Sequence, residues 1–195
     1  MALAVAARAS PVTVLTIGHG RRAIEELIGV ARAHGVHRIV DVRRYPASRM
    51  NPQFGRDALA RALDEAGIEY FFEGDALGGR RVPSATSRNT ALRSAPFRGY
   101  ADHMETEEFG AGVDRVLALA AAAPTAVMCA ETVPWRCHRF ILSDALLARG
   151  ARVVHLIDEK PGRPHALSES ARIEGTRVVY DGRAPGEAEL PFPES

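Results

Sequence analysis

The chain has 195 residues, 46% hydrophobic and 25% charged, enough for one full core and too apolar for wholesale disorder. A net charge of +1 argues against a protein that grips nucleic acid by bulk electrostatics, but it leaves room for a local basic groove. Lys160 is the single lysine among 25 basic residues, so the arginine content mainly reflects compositional bias, and a Walker-type nucleotide hydrolase is excluded.

After a frayed leader (residues 1–11), the β-rich run 12–17 ends at Gly18-His19-Gly20. Ala23, Ile24, Leu27, Ile28 and Ala31 follow at helical spacing, and Gly35 stops that helix. A second strand, 38–42, runs into an extended loop broken by Pro46 and Pro52. Residues 56–66 carry Leu59 and Leu63 on a short helix ended by Gly67, and 68–72 form a third strand. Residues 74–97, rich in Gly, Ser and Arg, are expected to be mostly loop, and a loop of that length is usually functional or mobile. Phe109, Val113, Val116, Leu117 and Ala120 mark a helix, 124–129 a buried strand, 140–149 a helix closed by Gly150, and 151–157 a fifth strand. Beyond it, 165–172 allow a short helix and 176–180 a weak strand, with 181–195 as a flexible tail. The alternation predicts one three-layer α/β/α domain over residues 1–180, with a mostly parallel sheet of about five strands.

Two cysteines separated by seven residues do not make a secreted disulfide framework, and no run approaches the roughly 20 apolar residues of a membrane helix. The expectation is a soluble cytoplasmic protein with reduced thiols. In open parallel sheets, ligands bind at the carboxyl ends of the strands, and polar residues gather there. Strand one delivers Gly18 and His19, and strand two delivers Asp41, Arg43, Arg44 and Ser48. Strand three leads to Gly78-Gly79-Arg80-Arg81, and strand four delivers Cys129, Glu131 and Arg136. Cys129 at a strand end, followed by a loop, Arg136 and a helix, resembles loops in which a thiolate sits beside a bound oxyanion. Pro134 and Trp135, with no glycine, depart from a tight anion nest, and Cys129 fits equally well as a buried small hydrophobe. Cys137, in the first turn of its helix, favours function. His19 between two glycines suits a general base. Asp41 fits a structural acceptor and His155 a core residue. The arginine loop after strand two, with Tyr45 able to stack on a base, is either an anion clamp or a solvated basic loop.

Five blocks, T-I-G-H-G-R, D-V-R-R-Y-P-A-S-R-M-N-P-Q-F, L-G-G-R-R, F-R-G-Y-A-D-H-M and M-C-A-E-T-V-P-W-R-C-H-R, resemble the family called domain of unknown function 488, in that family's order. The resemblance spans about residues 16–155 and implies a compact cytoplasmic α/β domain, with no settled activity to carry over. Its motif positions fall on Gly18, His19, Asp41, Arg43, Pro46, Ser48, Arg80, Arg98, Tyr100, Cys129, Glu131, Arg136, Cys137, His138 and Arg139. The leading expectation is an enzyme acting on a phosphate- or nucleotide-bearing substrate, using Cys129 or Cys137 as nucleophile or redox thiol. In it His19 or Glu131 moves the proton, and Gly18, Arg43, Ser48, Arg80, Arg98, Tyr100, Arg136, His138 and Arg139 line the substrate. The rivals are a non-catalytic module binding nucleic acid or a nucleotide through its arginine loops, and a metal-dependent enzyme whose zinc or iron is held by Cys129, Cys137 and His138, with Glu131, His19 or His155 as further candidate ligands. C-x7-C-H matches no established metal-finger spacing, and the sequence names no cofactor.

Overall fold

The computed structural model describes residues 10–47 and 50–182. Leader residues 1–9, tail residues 183–195 and Ser48 lie outside it. Strands β1 (Thr13–Gly18), β2 (Arg38–Asp41), β3 (Glu69–Phe72), β4 (Thr125–Cys129) and β5 (Arg152–Leu156) pair in parallel in the order β3-β2-β4-β1-β5. A two-residue antiparallel strand, β6 (Arg163–Pro164), closes the β5 edge. Helices α1 (Ile24–Ala33) and α2 (Arg56–Glu65) cover one face, where Leu27, Ala31, Leu59 and Leu63 pack on Ile17, Ile39, Ala126 and Met128. The short α3 (Gly74–Leu77), α4 (Ala95–His103), α5 (Glu107–Ala122) and α6 (Arg139–Ala148) cover the other, on Val14, Val40, Val127 and Val153. All five residues of β4 are buried because both of its faces are covered, which is why it is a continuous apolar run rather than an alternating one. Gly67 and Gly150, just past α2 and α6, have φ of +75° and +80°, left-handed values that stop a helix at little cost for glycine alone. No helix among the described residues is long and apolar enough to cross a membrane.

Two local expectations change. The 74–97 segment opens with helix α3, and its last residues already belong to α4. Residues 165–172 do not form a helix. Instead Arg172–Glu174 (β7) and Arg177–Val179 (β8) make a hairpin turning at Gly175, whose φ is +63°. The cause is Asp144, buried on α6. Its carboxylate accepts from His165 Nε2 (2.9 Å), the Ser168 amide (3.0 Å), Ser168 Oγ (2.5 Å) and the Tyr180 hydroxyl (2.7 Å). These tertiary bonds to a buried acceptor outweigh the modest propensity of H-A-L-S-E-S for helix. The chain of bonds continues inward: His165 Nδ1 accepts from His155 Nε2 at 2.9 Å, and His155 Nδ1 accepts from the Thr16 hydroxyl at 2.7 Å. With Asp144 as the terminal acceptor, every proton in the row is assigned in one direction.

Candidate functional site at the ends of three adjacent strands

The ends of β2, β4 and β1 lie side by side, and the connections leaving β1 and β4 depart to opposite faces of the sheet. Such a divergence leaves room for chemistry at the rim. The pairing of β1 with β4 continues past the strands, the His19 amide donating to the Cys129 carbonyl (3.1 Å) and the Gly20 amide to that of Ala130 (2.7 Å).

On the α1/α2 side, Asp41 is fully buried and holds Arg43 in a fork, with Nε to Oδ1 at 2.8 Å and Nη2 to Oδ2 at 2.6 Å. Asp41 also accepts the Arg43 amide (3.0 Å) and the Tyr70 hydroxyl (2.9 Å). Burial, then the Asp41 charge, pushes the Tyr70 phenol above its usual range, so it stays a donor. Arg43 Nη1 donates to the Phe54 carbonyl (2.8 Å) and to His19 Nε2 (3.2 Å). His19 Nε2 is therefore unprotonated, and Nδ1–H donates to the Gly20 carbonyl at 2.9 Å. Burial and then the Arg43 cation hold the His19 pKa below its ordinary value, and its ring stacks on Phe54 at 4.1 Å. Arg43 was expected to face a ligand; its Nε, Nη1 and Nη2 all donate within the protein instead.

On the α4/α6 side stand the sulfurs. Cys129 and Cys137 are free thiols, 5% and 7% exposed, and their sulfurs and a ring nitrogen of His138 lie within 4.8 Å of one another; the nitrogen facing Cys129 is Nδ1. Cys129 Sγ is 3.8 Å from that nitrogen, and His138 Nε2 donates to the Val42 carbonyl at 3.1 Å. The Val42 bond leaves the Nδ1 lone pair facing the sulfur. A hydrogen bond from Cys137 holds the Cys129 thiol well below its ordinary pKa against the opposing effect of burial, helped by His138 and Arg139. Burial, then the neighbouring Cys129, pushes the Cys137 thiol up. The Tyr100 ring lies 4.9 Å from that of His138 and its hydroxyl donates to the Leu77 carbonyl at 2.9 Å. Arg139 is completely buried; Nη2 ties the Glu131 and Thr132 carbonyls (2.9 and 3.3 Å) to the start of α6, while Nε and Nη1 have no partner.

Two glycines make this approach possible. A Cβ on Gly79 would stand 2.8 Å from His138 Nδ1, and one on Gly18 would lie 1.8 Å from the Glu131 carbonyl oxygen. Neither contact is visible in the sequence, although the Gly78-Gly79 pair hints at a close approach. Because the Gly18 neighbour is backbone, Gly18→Ala should cost at least ~1–3 kcal/mol, read from the urea midpoint. An unchanged midpoint would refute the packing of β1 on this loop.

The remaining expected residues sit further out. Glu131 and Arg136 are exposed, and Glu131 contributes its carbonyl to the cluster. Arg80 is exposed, with φ of +59°, and lies 6.0 Å over the Tyr45 ring, which Arg44 approaches at 5.5 Å. Arg98 donates to the Leu92 carbonyl at 3.1 Å and so braces the segment before α4. Cys129, Cys137, His138, Arg139 and Tyr100 thus gather on the α4/α6 side and His19 with Arg43 on the α1/α2 side, with Gly18 packed on the Glu131 carbonyl; Glu131, Arg136 and Arg80 occupy the surface, and Arg98 is separate. Sequence reasoning did not foresee Val42, Phe54 or Tyr70, and it placed Gly79 at the rim without its contact to His138. A cavity of about 200 Å3 between α5, α6 and β8, lined by Phe109, Val113, Arg149 and Arg177, lies elsewhere.

Fold and site together define a three-layer α/β domain with a dithiol–imidazole cluster at its strand ends. The chain belongs to the family described as Domain of unknown function DUF488, whose model matches residues 23–146. That stretch holds Asp41, Arg43, Gly79, Tyr100, Cys129, Cys137, His138 and Arg139, and leaves out Gly18 and His19. No curated protein and no solved structure matches the chain.

Proposed function

We propose that this cluster is the active centre of an enzyme acting on a phosphate- or nucleotide-bearing substrate, in a reducing compartment such as the cytoplasm. The observation that carries the reading is the aimed His138. Its Nε2 is fixed by a backbone carbonyl and its Nδ1 faces a sulfur at 3.8 Å, the relation a proton acceptor needs to a reactive thiol. His19, on the opposite side of the strand ends, has both ring nitrogens engaged, Nδ1–H on the Gly20 carbonyl and Nε2 on Arg43, so it braces that edge. Arg43 positions it, since the arginine's own donors are occupied. The substrate's negative charge falls to the half-buried Arg44 and the exposed Arg80 and Arg136, whose forks suit phosphate.

Calorimetric titration with inorganic phosphate and nucleoside monophosphates tests this. Binding should weaken about 10-fold or more for Arg44→Ala/Arg136→Ala, in line with the loss of charge-assisted bonds worth ~1.5–3 kcal/mol each. A parent protein that binds none of these ligands sinks the reading.

One observation favours a second reading. Tyr45 is 60% exposed and flanked by two guanidinium groups, a surface on which an unpaired base stacks. A non-catalytic nucleic-acid module would bind a single strand in a salt-sensitive way, and that binding would survive Cys129→Ser/Cys137→Ser.

A further inference from the structure

We propose that Cys129, Cys137 and His138 form a three-ligand site for a zinc-class divalent cation with a fourth position open. Two soft sulfurs and one imidazole nitrogen are the donor set such a cation prefers. Metal–sulfur bonds of about 2.3 Å and metal–nitrogen bonds of about 2.0–2.1 Å in a tetrahedron put sulfur and nitrogen about 3.5 Å apart, and two sulfurs about 3.8 Å apart. Here Cys129 Sγ and His138 Nδ1 are 3.8 Å apart, and all three atoms fall within 4.8 Å. Closing the site requires side-chain adjustments of roughly an ångström or less.

Three independent features agree with this. The Nε2–H bond to the Val42 carbonyl is the outer contact that orients a ligating imidazole and fixes which nitrogen faces the metal. Gly79 supplies the space at Nδ1, since a Cβ there would crowd that nitrogen at 2.8 Å. The third is charge. Two thiolates neutralise a divalent cation, yet Arg139 remains beside them, fully buried, with Nε and Nη1 unpartnered. A buried cation without compensation is costly. An anionic oxygen in the open position, from hydroxide or from a substrate phosphate, restores the balance. The inference depends on the proposed reading only for the use of the site; the ligand set stands without it. With metal bound, the sulfurs and His138 Nδ1 act as ligands in place of the thiol–imidazole proton transfer.

Cobalt(II) is the probe. Chelator-treated, reduced full-length protein should take up one equivalent, with the visible bands of a tetrahedral ion, thiolate-to-metal charge transfer, and displacement by zinc. Bound metal should also protect both thiols from a disulfide reagent, and chelator should restore their reactivity, a measurement that needs no variant. Cys137→Ser should abolish the charge-transfer intensity of one sulfur. Gly79→Ala, which keeps every ligand, should weaken uptake about 10–100-fold. A parent protein with no cobalt spectrum and no thiol protection overturns the proposal, as does affinity unchanged in both variants. Phosphate titration of the same samples separates the two readings. Phosphate binding without metal uptake refutes the metal site alone; metal uptake without any phosphate or nucleotide binding supports the metal site and refutes the substrate class.

Discussion

Asp144→Ala should lower the unfolding free energy by about 3–5 kcal/mol, the largest effect expected of any single truncation here. The carboxylate is fully buried and receives four donors from three residues that follow α6 in sequence: His165, Ser168 and Tyr180. Truncation leaves those donors buried without an acceptor, and the cost of such orphaned groups exceeds the net worth of the bonds themselves. Asp144→Asn should cost less, because it keeps one acceptor oxygen while the Ser168 and Tyr180 hydroxyls can turn their own oxygens toward the new amide. Equilibrium urea unfolding at neutral pH measures both. A loss below about 1 kcal/mol for the alanine variant would mean that the C-terminal segment is held by something other than this carboxylate.

Acid should destabilise the protein through its buried histidines before carboxylate titration completes the collapse. Burial, then the neighbouring His165 and Arg139, lowers the His155 pKa to about 3, and burial likewise lowers that of His103. An unfolded chain protonates His155 near its ordinary value of about 6.5, whereas the folded chain holds it neutral down to about 3. The unfolded state therefore binds more protons between those values. The stability is complete above about pH 6.5 and falls as pH drops. For His155 alone the loss between pH 7 and pH 4 amounts to ~3 kcal/mol, with a slope approaching ~1.4 kcal/mol per pH unit. His155→Gln should be less stable at pH 7 and should flatten that slope. A parent protein whose urea midpoint is level between pH 7 and pH 5 would rule out a buried neutral His155.

The architecture was largely legible because each helix and strand obeys its own periodicity. The run through Thr125–Cys129 is apolar throughout since both faces of β4 are covered, and Gly67 and Gly150 mark two helix ends. The expected strand over 176–180 is β8 (Arg177–Val179); its partner β7, in place of the end of the expected helix over 165–172, came from a cause 28 positions upstream of Arg172, the acceptor Asp144 within the apolar face of α6. A charged residue in that setting was the available clue. At the site, the polar strand ends lie along one rim, with the sulfurs and His138 on the α4/α6 side and His19 with Arg43 on the α1/α2 side. What strand-end polarity could not resolve was which groups are already occupied. Arg43 has the composition of an anion clamp, but Asp41, two residues earlier, holds its fork. Glu131 has the chemistry of a base, yet it turns its carboxylate outward and offers its carbonyl. The Gly79–His138 contact joins segments far apart in the chain, so no local pattern announces it.

β1 sits between β4 and β5, and Thr16 reaches His155 across 139 positions. The N-terminal strand therefore has no native neighbour until β4 (Thr125–Cys129) has left the ribosome, and its second neighbour, β5, comes later still, which makes assembly late and long-range. The stretch 23–146 that carries the family's signature lacks this wedge. Expressed alone, it would present the unpaired edge of β4 to solvent and invite other strands to fill the gap.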